Sequence, residues 1–297
     1  FDTACSSSIV AAHVARRSLQ HHDAARGVVI GVNLLLIPGI AHIGPAATGM
    51  LSALGRCHTF DERADGYLRG EGCGVAVLAP AEGTDTMPGS AVKHNGQSAT
   101  FTALNGSSQQ LLLRASLEDA GAPDVAMVEA HGTGTALGDP IEAGAVSALL
   151  GIVMIGGLKA SVGHTESTAG IAGVLKTAVT VDVGSNAQLR RLNPYIREGV
   201  GELILAVEAA IVLGGVRLVS SFGWSGIIGN CAIGFGRPAG LVQATGRMEY
   251  FAKRRPQLLL QRLEGSAFRA RVRSRLFAVL RDHTVLGRVL FSWGGIG

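Results

Sequence analysis

The hydrophobic pattern switches repeatedly between a helical and an extended period. Ala11, Ala15 and Leu19 fall four apart and predict a helix over Ile9–Gln20. Val28-Val29-Ile30 is a short apolar run and predicts a buried strand, as does Gly72–Leu78. Ala81–Ser90 is polar and glycine-bearing and predicts a loop. A helical pattern runs over Gln109–Ala120, with Gly121 placed to end it. Val125–Glu129 predicts a strand, and Asp139-Pro140 a helix start with a capping Asp and Pro at its first turn. Ile152–Ile155 predicts a strand. Ser167 or Thr168 is placed to cap a helix to about Val179, and Val216–Ser220 is again a strand. Alternating strands and helices argue for a layered α/β fold.

Composition supports a large core. The chain has 297 residues, 47% hydrophobic and only 16% charged. Its 42 glycines against nine prolines suit close-packed turns rather than a disordered linker. Gly27–Gly55 contains no charged side chain, but Gly31, Asn33, Pro38, Gly39, Gly44 and Pro45 interrupt it. A spanning helix needs roughly 20 uninterrupted apolar residues, so no membrane span is expected. The four cysteines show no C-x-x-C pairing, which argues against a metal site and for reduced thiols in an intracellular, cytoplasmic setting.

Charge is uneven. From Arg247 onward there are eleven Lys/Arg against three Asp/Glu. Basic tails can bind nucleic acid, yet Phe268-Arg269-Ala270-Arg271-Val272-Arg273 alternates as a half-exposed strand does, so nucleic acid is not an expected partner. Composition changes near Gly236-Arg237-Pro238. The chain is therefore divided into 1–236, a linker over 237–257, and a strand-rich tail over 258–297.

Three segments carry the candidate chemistry. They are Asp2-Thr3-Ala4-Cys5-Ser6-Ser7-Ser8, Glu129-Ala130-His131-Gly132-Thr133-Gly134-Thr135, and Lys159-Ala160-Ser161-Val162-Gly163-His164-Thr165-Glu166. Each reads as a strand end, a tight turn and a helix start. Cys5 stands just before a helix, where unpaired backbone N–H groups favour a thiolate and could hold an oxyanion. A lone cysteine is more often a buried structural thiol, and a lone histidine at a strand end is more often structural. Two histidines in matching positions beside one such cysteine point to acyl-thioester chemistry.

These segments, with Gly49–Ser52, Gly55-Arg56-Cys57, Thr59-Phe60-Asp61, Arg63–Tyr67, Arg69–Gly72 and Ser220–Gly223, resemble the ketosynthase domain of polyketide and animal-type fatty acid synthases over Phe1–Gly236. The resemblance implies a thiolase-like αβαβα fold. It implies that Cys5 takes an acyl chain as a thioester, and that His131 and His164 promote malonyl decarboxylation and stabilise the enolate. A decarboxylative Claisen condensation would follow. Lys159 and Glu166 match positions that support the His164 site, Thr133 and Thr135 match contacts to the pantetheine arm, and Phe222 matches a gating phenylalanine. The implied partners are an acyl carrier protein domain bearing phosphopantetheine, with acyl and malonyl thioesters, in a homodimer. No cofactor bound by the domain itself is implied.

Three departures qualify the resemblance. The strands and helices that precede the cysteine in the family are missing, so an incomplete first half, an uncovered sheet and low activity of 1–297 alone are expected. The Gly-Thr-Asn-Ala-His that follows the phenylalanine in the family is altered: Gly226 is followed by Ile227-Ile228-Gly229-Asn230-Cys231, with Asn230 as the shifted equivalent of the family Asn after a local insertion. Asp282-His283-Thr284-Val285-Leu286-Gly287 resembles the opening of a polyketide synthase dehydratase, with His283 as a base lacking its partner. Two other readings stay open: a non-catalytic, degenerate ketosynthase module, and a thiolase using coenzyme A.

Overall fold

The computed structural model describes residues 1–80, 85–96, 104–180, 182–183, 186–200, 203–205, 210–211 and 215–235. The linker over 237–257, the tail and His283 lie outside the described residues. Helix α1 (Ser7–Gln20) is followed by strand β1 (Gly27–Asn33), helix α2 (Pro38–Ala47) and strand β2 (Gly72–Leu78). Then come β3 (Asp85–His94), α3 (Gly106–Asp119), β4 (Val125–Glu129), α4 (Gly138–Leu150), β5 (Val153–Gly156) and a short α5 (Lys159–Val162). A 3-10 turn at Glu166–Thr168 leads into α6 (Ala169–Val179). The remainder is β6 (Asp182–Val183), α7 (Pro194–Gly199), β7 (Leu203–Leu205), β8 (Ala210–Ile211), β9 (Val216–Phe222) and β10 (Ile227–Phe235).

The main sheet has the order β3-β10-β9-β4-β5-β7. β9, β4, β5 and β7 are parallel, and β10 runs antiparallel to both of its neighbours. One face carries α3, α4 and α7 through a core that includes Phe60, Leu113, Val128, Val146, Ile155 and Leu218. The other face carries α1 and α6, and these two helices in turn carry the β1–β2 ribbon. Ile9, Val29, Ile171, Val219 and Cys231 meet in that middle layer. Fully burying an Ile or Val side chain contributes about 1.5–3 kcal/mol, so this shared core joins the two sheets strongly. The result is a layered β-α-β-α sandwich, consistent with the thiolase-like class.

Small residues set the spacing of the middle layer. A Cβ on Gly170 would stand 2.4 Å from Ile9, and one on Gly173 would stand 2.8 Å from Val219. A Cβ on Gly31 or Gly74 would meet Ile171 at 2.9 or 2.8 Å. The glycine-rich α6 is thus close-packed on both sides rather than loosely capped. At its C-terminal end the buried Arg217 guanidinium donates to the carbonyls of Thr177 and Thr180, where cations are favoured.

Several expected elements shift. β1 is not a buried strand: Val28, Ile30 and Val32 are exposed, as is Val77 on β2. Only alternate residues of β1 face α1 and α6, and among the described residues each strand of the ribbon has a single partner. Residues 85–90, expected in a loop, begin β3, because pairing with β10 supplies a ladder that their own pattern does not advertise. The helix after His131 starts at Gly138, with Leu137 rather than Asp139 in the cap position. The Gly226–Cys231 segment forms the return strand β10 of a hairpin with β9. Gly226, at φ 92°, closes its turn, and the one irregularity in the β10–β3 pairing lies further along, between Ala232 and Gly234. No described helix is long and apolar enough to cross a membrane.

Candidate active site

The Cys5 turn is held by its own serines and by the end of β9. Ser7 Oγ accepts from Thr3 N at 2.9 Å and donates to Ala4 O at 2.6 Å. Ser6 Oγ donates to Thr3 O at 2.9 Å. Ala4 adopts φ 54°, a left-handed conformation that costs energy in a residue with a Cβ. The tertiary clamp is Ser221, whose Oγ donates to Cys5 O at 2.7 Å. Two residues on, Gly223 touches the turn closely: a Cβ there would stand 2.2 Å from Thr3 O.

The same strand end positions His131. Phe222 N donates to His131 Nδ1 at 3.2 Å, and the two rings lie 5.2 Å apart. Three consecutive residues, Ser221, Phe222 and Gly223, therefore tie the Cys5 turn to His131. His164 joins from the other side. Its ring centroid is 5.4 Å from that of His131, at 89°, and Tyr67 packs on it edge-on at 5.1 Å. Glu166 N donates to His164 Nδ1 at 3.2 Å. Each Nδ1 is thus an acceptor, so each neutral imidazole carries its proton on Nε2. Burial holds both histidines well below the ordinary 6.5, helped by the Lys159 charge and, for His164, by Arg69. The site therefore holds two neutral Nε2–H donors.

The thiol behaves differently from the expectation. Burial pushes Cys5 up to about 12, and the Glu166 carboxylate adds to this. Lys159 and the backbone N–H groups of Trp224 and Cys5 pull the other way but do not win. The N-terminal position on α1 therefore does not by itself produce a thiolate; desolvation of a 9% exposed group outweighs it.

Lys159 opens α5 and is only 6% exposed. Burial lowers it from 10.5, while Glu142 and Glu129 oppose that shift. With Glu129, Thr165 and Ser220 it lines a cavity of about 10 Å³, close to the room that one water molecule needs. Glu166, at φ 46°, forms a two-pronged pair with Arg69, at 2.7 and 2.5 Å. Thr133 and Thr135 follow His131 with their hydroxyls 3.5 Å apart. Phe222 is packed into a small core with Leu112 and Ile228. Asn230 lies on β10. It is fully buried opposite Ser220, on the sheet face shared with Ile228 and Ala232, and its Nδ2 donates to Ser220 Oγ at 3.1 Å.

Two carboxylates hold the site in ways the sequence does not suggest: its pattern marks Asp139 only as a helix cap and does not single out Glu142. Asp139 accepts from Phe60 N at 2.7 Å and Gly134 N at 3.1 Å. Glu142 accepts from His131 N at 2.7 Å and Gly132 N at 2.9 Å. Their spacing of three on α4 aims both back at the His131 turn, a signal visible in Asp139-Pro140-Ile141-Glu142 once that helix start is known. Burial raises them to about 6 and about 7 respectively. Gly132 has φ 46°, and a Cβ there would stand 2.7 Å from Thr59 Cγ2, so the turn admits only glycine.

Two family models match this chain: "Beta-ketoacyl synthase, N-terminal domain" over residues 1–83, and "Beta-ketoacyl synthase, C-terminal domain" over residues 86–190. The chain belongs to the beta-ketoacyl synthase family. It is similar to a phenolphthiocerol/phthiocerol polyketide synthase of Mycobacterium tuberculosis, at 44% identity over 215 residues, 66% of this chain and 11% of that protein. It is 38% identical over 248 residues to the non-reducing polyketide synthase mapC of Penicillium roqueforti, 76% of this chain and 10% of that one. Among solved structures, the ketosynthase from module 6 of the bacillaene synthase of Bacillus subtilis 168 superposes with a TM-score of 0.75 at 29% identity, covering 90% of this chain and 52% of that chain. An oxazolomycin ketosynthase domain of Streptomyces albus gives 0.74 at 29%, covering 83% and 48%. The ketosynthase chain thus spans about a tenth of these curated relatives and about half of the solved domains.

Proposed function

We propose that this ketosynthase chain serves carbon–carbon bond formation in a polyketide synthase, with Cys5 as the acyl carrier and His131 and His164 at the malonyl site. The observation that carries this is the pair of neutral imidazoles, each with Nδ1 held by a backbone N–H, beside the Cys5 turn. Two Nε2–H donors suit an oxygen that gains negative charge in an enolate.

In the first step the Cys5 sulfur attacks the thioester carbonyl of an acyl group on the pantetheine arm of a carrier protein. The carrier sulfur leaves and takes the thiol proton. In the second, a malonyl thioester loses carbon dioxide, and its carbonyl oxygen becomes the enolate oxygen held by His131 and His164. The enolate carbon attacks the Cys5 thioester. A 3-oxoacyl chain leaves on the carrier, and the Cys5 thiolate takes a proton from solvent. Lys159 balances negative charge around the three groups, and Glu166 with Arg69 braces the His164 turn. Thr133 and Thr135 are assigned to the pantetheine arm. Phe222 holds His131 through its N–H and ring, and Asn230 backs β9 through Ser220.

The test is mass spectrometry of the complete synthase that carries this chain, after incubation with an acyl thioester. A mass increase on the Cys5 peptide, abolished by Cys5→Ala, supports the proposal. Absence of acylation at Cys5 favours the non-catalytic reading.

A further inference from the structure

The mechanism leaves one buried ion pair beside the site unused. Glu129 ends β4, two residues before His131, and is 2% exposed. Its Oε1 accepts from Leu158 N at 2.6 Å, on the residue that precedes Lys159. Its Oε2 accepts from Lys176 Nζ on α6, itself only 16% exposed. Its Cγ lies 3.4 Å from where a Cβ on Gly173 would be, so α6 leaves room for it. Glu129 and Lys159 line the same small cavity. One carboxylate thus grips the backbone that presents the lysine, faces the lysine with its charge, and is shared with a second cation.

We propose that Glu129 is a positioning residue for Lys159, fixing the start of α5 through Leu158 N–H and supplying a negative charge to the ammonium, with Lys176 setting how much of that charge Lys159 receives. This rests on the ketosynthase reading and adds a charge relay behind it. The groups facing Lys159 are Glu142 from α4, Glu129 from β4, the Cys5 and Cys57 thiols, Asp139, and the neutral His131 and His164. Of these, Glu142 and Glu129 are the main carboxylates holding Lys159 protonated. Glu129 is the one shared with another cation.

The arrangement makes two changes act in opposite directions. Glu129→Gln keeps an oxygen for Leu158 N–H but removes the charge and leaves Lys176 unpaired. Lys159 then loses its proton more easily. Lys176→Met removes the competing cation, and Lys159 holds its proton more tightly. A nearby charge moves such an equilibrium by about one pH unit or more.

The experiment measures malonyl-thioester decarboxylation by the complete synthase from pH 6 to 10 for the wild type and both variants. The expected result is an alkaline loss of kcat moved down by about one unit in Glu129→Gln and up in Lys176→Met, with KM little changed. Alkaline limbs that stay put, or move in the same direction, overturn the proposal. If Glu129→Gln does not fold, the direction of the Lys176→Met limb decides alone. A wild type that decarboxylates no malonyl thioester refutes the functional reading instead, so the two failures are distinguishable.

Discussion

Gly223→Ala isolates the contact between the β9 end and the Cys5 turn. An added Cβ would stand 2.2 Å from Thr3 O, 2.9 Å from Ser6 Oγ and 3.1 Å from Ile227 O. Ordinary contact begins near 3.4 Å, so the closest pair is short by more than 1 Å, and two of the three atoms are backbone, which cannot rotate aside. The turn must lift away from β9, and Cys5 moves with it. Overpacking of this kind costs about 1–3 kcal/mol. A misplacement of about 1 Å in a reacting group costs about 100-fold in rate. A 100-fold loss corresponds to about 2.7 kcal/mol, similar to the packing cost, so acylation rate and thermal midpoint should fall together. The assay is the rate of Cys5 acylation in the complete synthase, followed with the thermal midpoint. Gly44→Ala is the control, because a Cβ there meets nothing within 4 Å and an exposed helical Gly→Ala change is neutral or mildly stabilising. Wild-type acylation by Gly223→Ala at an unchanged midpoint would refute the argument that this glycine seats the nucleophile.

Replacing His131 or His164 with Ala should slow malonyl decarboxylation by at least about tenfold more than acyl loading, since oxyanion donors are worth about 10²–10³ in rate; equal loss in the two assays would mean that the histidines mainly hold the Cys5 turn. Both histidines are neutral when folded and protonated below about 6.5 when unfolded, so the unfolded chain binds more protons and stability falls as pH drops through 6.5. His164→Asn should flatten that fall in urea midpoints measured from pH 7 to 5. Glu142 works the opposite way: at about 7 folded against 4.5 ordinarily, its contribution is present at low pH and lost as pH rises from 4.5 to 7, and Glu142→Gln should remove that slope. Gly132→Ala, strained at φ 46° and in contact with Thr59, should cost about 1–3 kcal/mol and displace His131, seen as a lower midpoint with lower condensation.

Local features were legible where local physics decides them. The Ile9–Gln20 stripe is a real helix that begins only two residues earlier, because Ser7 and Ser8 face inward as well. The three candidate turns follow from Gly, Thr and Ser beside Cys or His, and the structure brings them together. β10 was hidden because Gly229, Asn230 and Gly234 break its alternation, and its register comes from β3 and β9. β1 read as buried because its residues are apolar, yet a ribbon covered on one face exposes every second one. Asp139 read as a helix cap because local pattern cannot see Phe60 N arriving from 79 residues away. The raised thiol was equally invisible. Burial is a property of the folded layers, not of the residues flanking Cys5.

That burial also bears on the charged groups packed around the site. A thiol pushed up to about 12 and two imidazoles held neutral form a nearly uncharged centre. Under the proposed function, such a centre provides no cation of its own for an enolate. Lys159 is the buried cation placed to do so, and a buried ammonium is costly unless it is paired. Glu142 is one of the carboxylates acting on it, with both oxygens already engaged by His131 N and Gly132 N. Glu129 is the other, divided between Leu158 N and Lys176. Each carboxylate therefore uses its hydrogen bonds to hold a segment of the candidate site, and its charge, for Glu142 above about pH 7, favours the ammonium of Lys159. Replacing either one by an apolar residue should loosen a turn and weaken the cation together. A variant that keeps the hydrogen bonds and removes only the charge, such as Glu129→Gln, separates the two effects.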